Sequence, residues 1–215
     1  MSEERTTEQR IVDATYGVMV QDGFDGFTTQ AVADEAGVSQ SLVHYYFERK
    51  EDLVVAMFEN GLDYLTDAVE EEVGADDPRD RLLGLARHIM VAEDEESLTF
   101  IRVILGLQSR APYDERLREA ARYRRAFLRD YVEAAVDEGI EAGRFRDVDS
   151  ETFAAMFVAA TTGGLNWTAI FGGEEETDET FAPGADGGAD ATVSTDVDAV
   201  LAGLETVVDE FLVAT

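Results

Sequence analysis

Apolar residues recur at intervals of three and four along most of this chain, and that periodicity constrains its fold more than any other feature. In the first such stretch they fall at Ile11, Ala14, Val18 and Met19, which places them on one face of a helix. The same spacing recurs in segments 53–65, 82–90, 98–108, 117–132, 153–171 and 197–213. Only three prolines interrupt the 215 residues, and no segment gives a convincing strand pattern. The sequence therefore predicts an all-α protein of about nine helices.

Acidic side chains outnumber basic ones by 47 to 17, which gives a formal net charge of −30. Because 45% of the residues are hydrophobic, this is not the apolar-poor composition of a disordered acidic chain. The charge has two interpretations. Carboxylates repel phosphates and argue against nucleic-acid binding, or they adapt the surface to molar intracellular salt, where the Debye length is about 3 Å. The near-absence of lysine, with Lys50 alone, favours a salt-adapted, haloarchaeon-like source.

Motifs of the common enzyme classes are missing from the sequence. It contains no glycine-rich phosphate loop followed by lysine, no His-Glu-x-x-His and no Gly-x-Ser-x-Gly. It has no cysteine, which excludes disulfides, thiolate metal sites and a cysteine nucleophile. His44 and His88 lie in separate segments, and the acidic runs lack the oxygen spacing of a calcium loop. We expect no enzyme, metal or cofactor, and the polar segment 1–10, which is no secretory signal, predicts a cytoplasmic protein.

One stretch, residues 153–173, contains no charged residue over 21 positions. A helix that is apolar on every side needs cover on every side. Three arrangements provide it: the interior of a monomer, the shared interface of a symmetric dimer, or a membrane. We favour the dimer, because small residues at spacings of four allow a second helix to approach closely; these are Ala155, Ala159, Ala160, Gly163 and Gly164. The following segment, 174–196, is acidic and glycine-rich, and we expect a loop there.

Two short helices joined by a glycine-containing turn are predicted within residues 28–46. Thr29 would cap the first, which Gly37 would end in a left-handed conformation. Ser39 would cap the second, over residues 40–46. A helix, a short turn with glycine and a second helix are typical of a helix-turn-helix.

The second of these helices presents an unusual outer face. With Val43 and Phe47 directed inward, its outer positions carry Gln40, Ser41 and His44, together with Leu42, Tyr45 and Tyr46. No Asp or Glu occurs in residues 37–47, although carboxylates occur almost everywhere else. Glutamine pairs with adenine, and leucine contacts the thymine methyl group. The lone Lys50 would begin the next helix, placed to contact a phosphate.

Residues 28–39 (TTQAVADEAGVS) and 43–53 (VHYYFERKEDL) resemble the amino-terminal domain of TetR-family regulators. The resemblance spans about residues 11–53. It implies an all-helical homodimer with a helix-turn-helix head over residues 1–52 and an effector-binding and dimerisation domain over 53–215. It also implies binding to a palindromic operator, with release by a small molecule. The DNA-binding residues would be Thr28, Thr29, Ser39, Gln40, Ser41, Leu42, His44, Tyr45, Tyr46 and Lys50.

The resemblance places an effector pocket among the middle helices and a dimer bundle on the last two. Pocket candidates are Phe58, Leu62, His88, Phe100, Ile104, Gln108, Tyr123, Phe127, Phe157 and Trp167. The last helix would add Leu201, Leu204, Val208 and Phe211 to the dimer interface. Nine of the 17 basic residues lie between residues 110 and 146. We expect them to pair with nearby acids, as Arg118 with Glu115, rather than one arginine turning inward toward an anionic effector.

The leading interpretation is therefore a ligand-responsive, sequence-specific DNA-binding repressor. Two alternatives remain at this point. A helical small-molecule carrier or enzyme that retains a relic helix-turn-helix is the first. A membrane-anchored sensor, with residues 153–173 as its span, is the second.

Overall fold

The computed structural model describes residues 6–73, 77–172 and 197–213. Within them the chain is all-α, as the periodicity predicts, with nine α-helices, one short π-helix and, in place of strands, an isolated bridge between Phe145 and Val213. The α-helices are α1 (Thr7–Gly26), α2 (Thr29–Ala36), α3 (Gln40–Tyr46), α4 (Lys50–Val73), α5 (Pro78–Met90), α6 (Glu95–Arg110), α7 (Glu115–Glu141), α8 (Ser150–Phe171) and α9 (Val197–Val207). The π-helix covers Val208–Leu212. The loop expected over 174–196 lies outside the described residues.

Helices α1, α2 and α3 form the head of the molecule. Thr6 caps α1 in a capping box with Gln9, which satisfies two backbone N–H groups at the helix start. The helical backbone of α1 is interrupted at Gly23, whose φ of 66° and ψ of −179° are not helical, and the helix resumes across this kink and extends to Gly26. Side chains from the three helices, including Ile11 and Val32, are fully buried in one small core.

The caps of α2 and α3 set the angle of the helix-turn-helix. Thr28, and not Thr29, is the N-cap of α2, because its hydroxyl accepts a hydrogen bond from the Ala31 N–H at 3.1 Å. Gly37 ends α2 in the left-handed conformation, at φ 65° and ψ 39°, as expected. Ser39 caps α3, with its hydroxyl accepting from the Leu42 N–H at 3.2 Å. Because the cap is at Thr28, the Thr29 side chain is released for another contact.

Helix α8 lies against α5, α6 and α7. Gly164 brings the α8 backbone into close contact with the Met90 side chain, and the Thr168 hydroxyl donates to the Met90 carbonyl at 2.5 Å. By length and composition α8 is the one described helix that is long and apolar enough to cross a membrane, and half of its most apolar window is buried inside the protein. The uncharged stretch is thus covered on one side by its own chain.

A charged clamp holds the carboxyl-terminal segment on α5. The Arg79 guanidinium donates to Asp209 through Nε at 2.6 Å and through Nη2 at 2.9 Å, and to Glu205 at 3.0 Å. These hydrogen bonds raise the pKa of Arg79 and lower the pKa of Asp209. α9 and the π-helix are therefore fixed to the start of α5 by a bidentate ion pair.

Candidate nucleic-acid interface and effector cavity

The outer face of α3 is polar, exposed and free of acids. Gln40, Ser41, His44 and Tyr45 are all exposed, and 79% of the Tyr45 surface is accessible. On the opposite face Val43 is completely buried, and it anchors α3 to the head. A rigid helix therefore presents groups that can read base edges in a major groove.

Thr29 connects α2 to the exposed face of α3. Gln40 Nε2 donates to Thr29 Oγ1 at 3.0 Å, and His44 Nε2 lies 3.4 Å from the same oxygen. The hydroxyl freed by the cap at Thr28 thus orients both side chains on the outer face of α3. Gln40 and His44 are therefore held in place on this surface before any partner binds.

The remaining residues of this face surround Gln40 and His44. Tyr45 and Tyr46 pack edge to face, with ring centroids 5.2 Å apart. Lys50 is the first residue of α4 and is half-buried. Beside it, Arg49 lies 3.5 Å from Glu51 and 3.9 Å from Asp114 at the cap of α7. Arg49 at the edge of the head is therefore partly neutralised by one acid of α4 and by the capping acid of α7.

Two adjoining cavities lie between the helices: the first among α4, α6, α7 and α8, and the second among these four together with α1 and α5. The first has a volume of about 470 Å³ and the second about 550 Å³, within the usual size range of small-molecule sites. The first is lined by Phe58, Ile104, Leu107, Gln108, Leu117, Ala121, Arg124, Arg125, Ala155, Val158, Ala159 and Thr162. Phe58, Ile104 and Arg124 also line the second, so these three residues stand between the two spaces.

Arg124 is the notable polar group of this region. Burial lowers the pKa of its guanidinium to about 10, because a low-dielectric environment disfavours the charged form. No hydrogen bond or ion pair joins it to any part of the chain that the structure describes. By contrast, Arg118 and Arg122 on the same helix pair with Glu115, as the sequence predicts. The expectation that no arginine turns inward is wrong for Arg124.

Comparison with known families decides the class of protein. The family model described as "Bacterial regulatory proteins, tetR family" matches residues 11–57, and "BetI-type transcriptional repressor, C-terminal" matches residues 78–202. The second match alone covers more than half of the chain. The chain belongs to the TetR family of transcriptional regulators. It is a DNA-binding regulator with a helix-turn-helix head and a helical carboxyl-terminal domain.

Individual TetR-family relatives are distant. The fatty acid metabolism regulator protein of Bacillus subtilis (strain 168) is 21% identical over 149 residues, which are 68% of this chain and 75% of the relative. A regulator from Rhodococcus sp. has a TM-score of 0.73 at 21% identity, covering 94% of this chain and 99% of that one. A regulator from Saccharomonospora viridis in complex with choline has a TM-score of 0.65 at 17% identity, covering 97% and 98%. At these identities the solved structures show a shared TetR fold.

The ten residues expected to contact DNA all lie in the head or at the first residue of α4. Thr28 and Ser39 serve as helix caps, and Leu42 is half-buried. The structure brings together Thr29, Gln40 and His44 through hydrogen bonds. The sequence assigned these residues to one surface, but it did not predict the bonds between them.

Only part of the expected effector pocket lines the two cavities. Six candidates do: Phe58, Leu62, His88, Phe100, Ile104 and Gln108. Four do not: Tyr123, Phe127, Phe157 and Trp167. Phe157 is in the core, and Tyr123, which the helical pattern places on the buried side of α7, is exposed. Aromatic side chains at helical spacing are thus found in three environments: in a cavity wall, in the core and at the surface. The residues that sequence reasoning missed include Arg124, Tyr16 and Thr162.

The residues expected at the dimer interface also differ in burial within the single chain. Gly164 faces Met90, and Leu204 and Val208 are buried within the same protomer, so these three are not available to a second copy. Ala155, Ala160 and Leu201 are half-buried, and Ala159 is exposed. An added methyl group at Gly163 would meet no atom within 4 Å. The side chain of Phe211 lies outside the described residues.

Proposed function

We propose that this TetR-family protein is a homodimeric repressor that a small-molecule effector releases from a palindromic operator. The observation that carries the proposal is the exposed, acid-free face of α3, with Gln40 and His44 oriented by Thr29. Ser41 and Leu42 would complete the base contacts, while Thr28, Ser39, Tyr45, Tyr46 and Lys50 would hold the phosphate backbone.

The division of labour follows the chain. Residues 1–52 are the DNA-binding head, and residues 53–215 bind the effector and the second subunit. The effector would occupy the two cavities beside α4, whose first residues adjoin the head. A displacement of α4 would change the distance between the two copies of α3, which must match about 34 Å, one turn of duplex.

The dimer face is the exposed side of α8. Met156, Trp167 and Ile170 are 50%, 47% and 54% accessible, and with Ala159 and Gly163 they form a stripe along one side of the helix. Large exposed apolar side chains in one row are typical of protein interfaces. A symmetric dimer covers such a stripe with its own copy.

The net charge of −30 fits a cytoplasm that contains molar salt. At that ionic strength carboxylates repel one another and DNA only over short distances. Because few cations surround α3, few counterions would be released on binding, and the affinity for DNA would depend weakly on salt. A salt-adapted regulator therefore explains the acidic head without excluding DNA binding.

The test is a selection of random duplexes by the full-length protein in molar KCl. We expect enrichment of a palindrome whose half-sites are centred about one helical turn apart. Fluorescence anisotropy with the enriched duplex should then show an affinity that Gln40→Ala together with His44→Ala lowers. A selection that enriches no sequence, or binding unchanged by the double substitution, contradicts the proposal.

A further inference from the structure

Arg124 is a half-buried residue of α7 with apolar neighbours on its own helix. The residues three and four positions away are Ala120, Ala121, Phe127 and Leu128, so no acid on its own helix lies in position to pair with it. Burial lowers the pKa of the guanidinium to about 10, but the side chain remains charged at neutral pH. A half-buried charge that pairs with none of the described residues is partly desolvated without compensation, and its place in the walls of both cavities points to a partner that enters them.

Each of the two cavities beside Arg124 suits a different half of such a partner. The first cavity adds polar groups to the guanidinium: Gln108, Thr162 and the exposed Arg125. The second cavity is largely apolar; its walls include Phe58, Leu62, Leu65, Phe100, Ile101, Ile104 and Leu165. Arg124 belongs to both walls. An elongated molecule that spans the two cavities would therefore meet cations and amides at one end and hydrocarbon at the other.

Three other ionisable groups line the second cavity: Asp13, Tyr16 and His88. Asp13 is exposed and has a partner of its own, the Tyr16 hydroxyl donates to Glu96 at 3.3 Å, and His88 Nδ1 lies 3.0 Å from the Gly84 carbonyl. None of the three is bonded to Arg124. The cavity pair thus offers a guanidinium that has no bonded partner among the described residues, within a chain whose net charge is −30.

We propose that the effector is an amphipathic anion: an acidic head bound by Arg124 in the first cavity, joined to an apolar chain in the second. The inference rests on the proposed function, because it names the class of effector for that site. A carboxylate and a phosphate monoester both match the planar guanidinium fork. A quaternary ammonium of the same length is disfavoured, because it would be placed against the charge of Arg124.

The test compares ligands of one chain length on the full-length protein by isothermal titration calorimetry. The panel is decanoate, decyl phosphate, decanol and decyltrimethylammonium. We expect the anions to bind more tightly than the alcohol and the ammonium compound, and the ratio of decanoate to decyl phosphate to distinguish carboxylate from phosphate. Arg124→Gln should lower the affinity of the anions by about tenfold or more, as loss of a charge-assisted hydrogen bond does. Arg124→Lys should bind the anions with an affinity between those of the parent and Arg124→Gln, because it keeps the charge but loses the planar fork.

Two controls separate this from a general effect. Arg122→Gln on the same helix, which removes an exposed arginine paired with Glu115, should leave the affinity unchanged. Without ligand, Arg124→Gln should melt at a higher temperature than the parent, because it removes the cost of a buried charge. The inference is overturned if no anion binds, if decanol or decyltrimethylammonium binds as tightly as the anions, or if Arg124→Gln binds them unchanged.

The two proposals fail separately. If anion binding depends on Arg124 but the protein selects no duplex, the inference about the ligand class is supported and the proposed operator binding is contradicted. If the protein selects a duplex but binds no anion, operator binding is supported and the inference about the ligand class is contradicted. Release of the selected duplex by decanoate in the parent, but not in Arg124→Gln, supports both.

Discussion

Arg116 on α7 is paired with Asp52 near the start of α4, with Arg116 Nε 3.4 Å from Asp52 Oδ1. The same Asp52 accepts a hydrogen bond from the Arg49 N–H at 3.0 Å. Arg116 precedes Arg124 by eight residues, which is about 12 Å along a helix. The first turn of α7 therefore contacts the junction between head and effector domain, while a later turn of the same helix carries the cavity arginine.

We predict that this ion pair couples the two domains with little effect on overall stability. In a double-mutant cycle of Asp52→Asn and Arg116→Gln, the coupling energy should be about 1 kcal/mol or less, because both side chains are partly exposed. Denaturant unfolding of the four proteins measures it. Release of operator by ligand should weaken in either variant, while operator affinity without ligand changes little. A coupling energy of several kcal/mol would contradict this assignment.

The position of the α2 cap predicts a contrast between two adjacent threonines. Thr28→Ala should lower the free energy of unfolding by about 1 kcal/mol, because it removes the acceptor for the Ala31 N–H. Thr29→Ala should change stability less and operator affinity more, because it frees Gln40 and His44. Chemical denaturation and anisotropy on the same samples separate the two effects. The reverse ranking would place the cap at Thr29.

Loss of base contacts from α3 should be severe and specific. We expect Gln40→Ala with His44→Ala to weaken binding to the selected operator by about thirtyfold or more, since each base contact contributes about 1–3 kcal/mol. The melting temperature should change little, because both side chains are exposed. Gln21→Ala, an exposed glutamine of α1, is the matched control and should bind as the parent does.

The two adjacent glycines of α8 should respond differently to a charge. Gly163→Glu places a carboxylate on the exposed stripe and should give a folded monomer, and Trp167→Glu should do the same. Gly164→Glu should instead impair folding, because Met90 occupies the space beside it. Light scattering and circular dichroism distinguish these outcomes. Tyr113→Glu, at a site 90% exposed, is the control, and a dimer that persists in Gly163→Glu would count against this interface.

The clamp at Arg79 should make part of the stability depend on pH. The hydrogen bond from Arg79 holds the pKa of Asp209 below its ordinary value of 3.8. Since the folded-state pKa is lowered, the stabilisation is present above pH 3.8 and is lost as the pH falls through the folded-state pKa. Asp209→Asn should therefore melt below the parent near neutral pH, with the difference closing in acid. Glu210→Gln, an exposed neighbour, should show no such convergence.

Much of the architecture was predictable from local sequence because helices and caps depend on neighbouring residues. The apolar periodicity determined the number of helices, and Gly37 and Ser39 fixed the turn between α2 and α3. The acid-free window 37–47 predicted a polar outer face of α3, and Gln40, Ser41 and His44 are exposed there. Even so, local pattern erred by one residue at the α2 cap.

Arg124 shows where sequence reasoning stopped. A signal existed, because no acid lies three or four residues from it, but Arg125 satisfies the same criterion and is exposed. Periodicity predicts which residues share a face of a helix, but it does not predict which cavity that face lines. For the same reason, the pattern did not predict that Tyr123, Phe127, Phe157 and Trp167 lie outside the linings of these two cavities.

The sequence by itself determined the helices, the helix-turn-helix and the family resemblance, since these follow from spacing, capping and local residue order. The tertiary structure alone decided which side of α8 is covered, through Gly164 and Met90, and which arginine faces the cavities. Such choices depend on contacts between residues tens of positions apart. Packing of whole helices sets those contacts, and no local pattern specifies it.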